Sequence, residues 1–186
     1  PLNPKNELDT SEPKPTLGAA LDLFQKGFNI FPLGGYPDGI PYWFKNKNKG
    51  LTDEKLLVQW CKTPVISEWA QLRTKPLAES QIKDLWIKHP YANIGIITED
   101  LVIVDADSPE AVIWCKENSN SPVRVKTRKG YHFYFKKHPA IEIKGSVCET
   151  RSLDVRAKGN YVVGPGSTHG SGAEYTWDID TKFSFN

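Results

Sequence analysis

Apolar positions follow two different rhythms along the chain. In the first half they recur at helical spacing between short extended pieces. "TLGAALDLFQKG" (16–27) carries such a stripe and ends on Gly27, a glycine placed to close a helix. "FNIFPL" (28–33) then predicts a short strand. "TDEKLLVQWC" (52–61) opens on a capping Thr52 followed by acids in the first turn, a helix start. "LAESQIKDLWIKHP" (77–90) sets Ile82, Leu85 and Trp86 on one helical face and stops before Pro90. Between these elements, 34–50 is rich in Gly, Pro, Asn and Lys and predicts a loop or insertion.

From residue 93 the rhythm becomes that of strands. "NIGIIT" and "LVIVDAD" are predicted strands joined by the polar turn Glu99-Asp100. "SPEAVIWCKEN" (108–118) is a predicted helix, with Ser108 at the cap and Pro109 at its first position. "PVRVKT", "YHFYFK", "SLDVRA", "NYVVGP" and "AEYTW" follow as short strands between Gly, Lys and Ser turns. The pattern predicts an α+β protein. An N-terminal helical α/β part (16–92) packs on a mainly antiparallel, RRM-like part (93–180) crossed by one helix. Residues 1–15, charged and rich in proline, read as a flexible lead-in.

Bulk composition narrows the field without deciding it. The chain has 186 residues, 39% of them hydrophobic, enough for one domain or two joined subdomains with a substantial core. A mean hydropathy of −0.48 and the lack of a long apolar run exclude a transmembrane span. No signal peptide is visible, and without an initiator Met we expect a piece of a larger protein, fused to further domains. The odd number of widely spaced cysteines fits an intracellular (cytoplasmic), reducing compartment. Cys61, Cys115 and Cys148 are too far apart for zinc-ligand spacing, and no zinc is expected. A net charge of +2 does not by itself announce a nucleic-acid binder.

Three constellations carry chemistry. Strand alternation puts Asp105 and Asp107 on one side, about 7 Å apart along the chain. Two carboxylates aimed at one point repel unless a cation lies between them, and Mg2+ or Mn2+ suits their oxygen atoms. The bland alternative is that one acid caps the helix that follows. In "VKTRKGYHFYFKK" (125–137), His132, Tyr134 and Lys136 share one face and Tyr131, Phe133 and Phe135 the other, which reads as core. The Lys126, Arg128, Lys129 turn beside His132 could grip phosphates, or could be a solvated hairpin tip. In "SLDVRAKGNYVVGPGSTHGSG" (152–172), Asp154 and Arg156 share a face. The glycine-rich loop 164–172, with Ser167 and His169, offers either phosphate contacts or plain turn geometry.

The combination resembles the N-terminal catalytic domain of bifunctional DNA primase-polymerases, in the archaeo-eukaryotic primase superfamily. "VDAD", "TRKGYHFYF" and "LDVRAKGNYVVGPGSTHGSGAEYTW" match that family's pattern, and "ALDLFQKGFNIFPL", "KTPVISEW" and "YANIGIIT" extend the match over about 17–177. Two departures stand out: the insertion at 34–60, and Lys129 where the family usually has a second Gly before "YH". The resemblance implies a template-dependent nucleotidyl transferase joining dNTPs or NTPs to a primer 3′ end on a DNA template. It implies two Mg2+ or Mn2+ ions on Asp105, Asp107 and Asp154. Arg128, Lys129 and His132 would hold the triphosphate. Arg156, Lys158, Ser167 and His169 would be weaker contacts to nucleotide or template. A metal-dependent nuclease and a non-catalytic RRM-like strand-binding module are the alternatives.

Overall fold

The computed structural model describes residues 15–36, 39–121, 123–143 and 145–179. The N-terminal lead-in expected at 1–15 lies outside these residues except for Pro15, where the first helix begins. That helix, α1 (Pro15–Gln25), ends as its sequence requires. Gly27 adopts φ 83° and donates to the Phe24 carbonyl, while the Phe28 N–H reaches back to Leu23, the two bonds of a Schellman closure.

Strand β1 (Ile30–Leu33) pairs antiparallel with β2 (Asn93–Ile97), which pairs with β8 (Tyr161–Val163) in a three-stranded sheet. Every residue of β1 and β2 is buried, so both faces are covered. Gly95 lies opposite Phe31, and a Cβ there would come within 2.7 Å of the Phe31 ring; glycine makes that pairing possible. Two further helices precede β2: α3 (Asp53–Trp60), capped by Thr52, and α4 (Glu79–Lys88). Helices α1 and α4 pack on each other and on the small sheet. The 34–50 region, expected as a loop, contains the short helix α2 (Tyr42–Lys47), held down by buried Phe44 against Leu56 and Trp60. Two 3-10 segments, Trp69–Arg73 and Glu149–Arg151, are too short to show a helical period in the sequence.

The second sheet has six antiparallel strands in the order β6-β7-β3-β5-β4-β9: β3 is Leu101–Ala106, β4 Val123–Lys126, β5 Tyr131–Lys136, β6 Ser146–Cys148, β7 Leu153–Arg156 and β9 Thr176–Ile179. Helix α5 (Pro109–Asn118) covers one face, where Ala106, Ala111, Cys115 and Phe133 form an apolar cluster. The other face joins the small sheet, and one core runs from Leu23 and Trp86 through Ile94 and Ile96 to Ile103, Val125 and Tyr134.

The α+β class expected from the sequence is therefore present, with two differences in layout. The small sheet takes β1 from the first half and β2 and β8 from the second, so the division expected at residue 93 does not follow the sheets. The last strand begins at Thr176, three residues later than "AEYTW" suggests. Tyr175 is spent on backbone bonds with Gly166 and Ser167, and Glu174 bridges Thr168. The three cysteines are free thiols, Cys61 and Cys115 buried and Cys148 exposed. Burial holds the Cys61 thiol at about 11 despite nearby Lys62, so it stays protonated.

Candidate active site

Register brings the acids and the histidine together. Asp105 pairs with Asp154 of β7 on one side and with His132 of β5 on the other, and directly paired residues project to the same face. The row Asp154–Asp105–His132 thus faces the small sheet, beside Arg156 and next to the core residues Ile103, Tyr134 and Val125. His132 Nε2 stands 3.6 Å from Asp105 Oδ1, and Arg156 is ion-paired with Asp154. The face opens into a cleft of about 300 Å³ between the two sheets, lined among others by Lys62, Asp105, His132, Arg156, Tyr161 and Tyr175.

Like charges directly opposite on neighbouring strands destabilise a sheet, and the surrounding cations decide how each acid responds. For Asp105, burial raises the pKa, but His132, Lys62 and Arg156 outweigh it and hold the carboxyl below its ordinary value. For Asp107 the balance reverses. Burial and the Asp105 charge raise it, against Lys129, Lys62 and His132. Asp107 therefore keeps a proton more readily than a free carboxyl.

Asp107 is not on the strand, as simple alternation expects. β3 ends at Ala106, and Asp107 is exposed, with its N–H donating to the Ser152 carbonyl at 3.0 Å. Ser152 sits at φ 51°, a left-handed conformation that costs a non-glycine residue energy. The capping alternative fails for both acids. Ser108 caps α5, its Oγ accepting from the Ala111 N–H at 3.2 Å.

The basic residues form the rim. The turn after β4 is pinned by Thr127, whose Oγ1 accepts from Gly130 N–H and whose own N–H donates to the Gly130 carbonyl. A Cβ on Gly130 would lie 1.8 Å from the Ala106 carbonyl oxygen, so only glycine lets this turn lie against the end of β3. Arg128 and Lys129 at its tip are exposed. Their charges, with that of Lys62, reach His169 on the glycine-rich loop, and together with its burial they pull that imidazole down to about 4. His169 is thus neutral at physiological pH. Its Nδ1 accepts from the Ser171 N–H at 3.1 Å, which assigns the ring proton to Nε2 and makes that atom a donor.

Two residues missed by sequence reasoning organise this rim. Lys62 follows α3 in a stretch without periodicity, yet its charge acts on Asp105, Asp107 and His169. Asn93, fully buried at the start of β2, donates to the carbonyls of Cys61 and Thr168 and accepts from the Thr168 N–H. One side chain thereby fixes the residues preceding both Lys62 and His169. A lone asparagine in an apolar strand is the signal that could have pointed to it, since a buried amide needs partners.

Two predicted contacts stand elsewhere. Ser167 is buried and its Oγ accepts from the Ile94 N–H at 2.9 Å, a bond that ties the glycine-rich loop to β2. Lys158 is exposed and acts on Glu99, which pairs with Arg73.

The profile of the family described as "Bifunctional DNA primase/polymerase, N-terminal" matches residues 20–182. The chain belongs to that family. No curated protein matches it. Within the prim-pol domain, the match covers both sheets, the acid row and the basic rim. No helix among the described residues is long and apolar enough to cross a membrane.

Whether the acid row suits a divalent cation is decided by its atoms. Among the described residues, no three His, Cys, Asp or Glu side chains already form a ligand group: Arg156 holds Asp154, and Asp107 points from beyond the strand end. The row is nevertheless short of partners. Asp105 Oδ1, His132 Nδ1 and the Tyr134 hydroxyl are all buried with no hydrogen bond among the described residues, His132 Nε2 standing 3.6 Å from Asp105 Oδ1. Buried polar atoms are nearly always satisfied, and a buried carboxylate oxygen beside a second carboxylate fits a hard cation.

Proposed function

We propose that this prim-pol domain catalyses template-directed nucleotidyl transfer at the cleft between its two sheets. The reading rests on the Asp154–Asp105–His132 row, a polar strip set beside apolar core residues of the same sheet face, opening where Lys62, Arg128 and Lys129 collect positive charge. Asp105, Asp107 and Asp154 would hold Mg2+ or Mn2+, which when bound lowers the pKa of a 3′-hydroxyl and neutralises charge on a triphosphate. Asp105, held below its ordinary value, gives the site negative charge, and the carboxyl groups of Asp154 and Asp107 supply further oxygen atoms.

The rim residues receive the nucleotide. Arg128, Lys129 and Lys62 supply charge to a triphosphate, and the neutral His169 offers its Nε2–H as a donor without adding charge. His132, close to Asp105 and wedged beneath the cleft, orients that carboxylate and presents an imidazole edge to the phosphates. In the transfer, the 3′-oxygen of the strand bonds to the α-phosphorus and the bond to the bridging oxygen breaks. Pyrophosphate leaves, and the hydroxyl proton is released to solvent.

The test is incubation with labelled nucleotides and Mn2+ on primed and unprimed templates. We expect stepwise lengthening of the primer with pyrophosphate release, lost in Asp105→Asn. Shortening of the labelled strand without pyrophosphate would identify a nuclease instead.

A further inference from the structure

Helix α2 and the residues that follow it carry a surface that the active site does not use. In α2, Phe44 points inward and is buried, while Tyr42 and Trp43 face outward, 82% and 54% exposed. Such exposure of two adjacent large aromatic residues is costly unless they have a use. Trp43 is not loose. Its ring meets Phe44 at 5.6 Å and Trp60 at 6.1 Å, both edge-on, which fixes its orientation while leaving much of it open. Around these rings the chain reads Lys45, Lys47 and Lys49, all exposed, with no acidic residue from Gly39 to Leu51. The nearest acids in sequence after it, Asp53 and Glu54, occupy the first turn of α3, where the helix dipole favours them.

Rigid aromatic faces interleaved with lysines match one ligand chemistry: unpaired bases to stack and a phosphate chain to neutralise. A duplex offers the phosphates but keeps its bases stacked inside. We infer that α2 and the lysines that follow it bind the single-stranded part of the template. The position supports this. Trp60, against which Trp43 and Phe44 pack, is two residues before Lys62 in the cleft, so the platform and the active site share the end of α3. The inference rests on the template-directed reading above.

The experiment is fluorescence anisotropy with a labelled oligo-dT strand and with a duplex, at several salt concentrations. Trp43→Ala should weaken single-strand binding about tenfold, the scale of one base stacked on an aromatic ring. Trp43→Phe should restore most of it, and duplex binding should change little. Replacing Lys45, Lys47 and Lys49 by Ala should lower the salt slope by about 2, roughly 0.7 per phosphate contact on a single strand. Asp105→Asn should bind the strand as the parent does, so the platform stands even if no primer is lengthened. Single-strand binding by Trp43→Ala within twofold of the parent would overturn the inference. So would an equal loss on duplex, or unchanged strand binding with a fall in sedimenting mass, which would make this a face for a second copy of the chain.

Discussion

The two faces of the six-stranded sheet are built from the same strands and serve opposite ends. On the face under α5, Val104, Phe133 and Leu153 pack with Ala111 and Cys115, and the chemistry is that of an ordinary core. One residue along each strand, the other face sets Asp105, His132 and Asp154 in a row, flanked by Ile103 and Tyr134, which belong to the main core. Both faces are largely enclosed, so burial alone does not tell them apart. The difference is that the face under α5 is apolar, while the other leaves Asp105 Oδ1, His132 Nδ1 and the Tyr134 hydroxyl without hydrogen bonds among the described residues. A sheet that accepts opposed carboxylates and orphaned polar atoms in its interior gives up stability on that face for a ligand to recover.

The sharpest way to break the comparison is to remove one residue from the apolar face. Phe133→Ala should cost about 3–5 kcal/mol, the usual loss for a buried phenyl ring, read from urea unfolding. Mn2+ affinity of the folded fraction should remain near that of the parent, because Phe133 points away from the acids. A matching fall in affinity would mean that the two faces are not separable.

Asn93→Ala acts on the polar side without touching the acids. Losing its bonds to Cys61 and Thr168 should cost about 1–3 kcal/mol. It should also weaken nucleotide binding while leaving Mn2+ binding intact, since it releases Lys62 and His169 but not Asp105. Asn93→Gln, which keeps the amide, tests whether position and not polarity alone is required. Equal effects on nucleotide and Mn2+ would reduce Asn93 to a packing residue.

The smallest effect separates the two neighbouring acids by sign. Asp105 has a lowered pKa in the fold, so its contribution to stability is present above the unfolded value and is lost as pH falls through the folded one. Asp107 has a raised pKa, so the fold is favoured while it is protonated, and that advantage fades as pH rises through its folded value. At neutral pH without metal, Asp105→Asn should therefore lower the urea midpoint and Asp107→Asn should raise it. Midpoints measured from pH 3 to pH 8 check this. Shifts of the same sign in both variants would show that the surrounding cations do not distinguish the two acids.

Much of this architecture was legible because the signals were local. Helix α5 announces itself through Ser108 and Pro109, α1 through Gly27, and β3, β5 and β7 through their alternation, while the pairing that puts Asp105, His132 and Asp154 on one face comes from the register. Other features depend on partners distant in sequence. That β2 and β8 join β1 in a separate sheet follows from pairing that no strand's own pattern reveals. Lys62 gains its importance from Asp105, Asp107 and His169, all distant from it in the sequence. Ser167 sits in a loop that suggests phosphate binding, yet its hydroxyl is used by Ile94. The β3 strand stops at Ala106, just before Asp107, whose N–H still bonds its register partner Ser152, a residue turned to φ 51°.

The central claim is that the acids on the inner face of the large sheet form one divalent-cation site. Titrating Mn2+ into the protein and following free Mn2+ by electron paramagnetic resonance tests it without any turnover. The parent should deplete the free-ion signal, and Asp105→Asn and Asp154→Asn should each largely abolish that depletion while circular dichroism shows the fold intact. Depletion equal in the parent and both folded variants would contradict the claim.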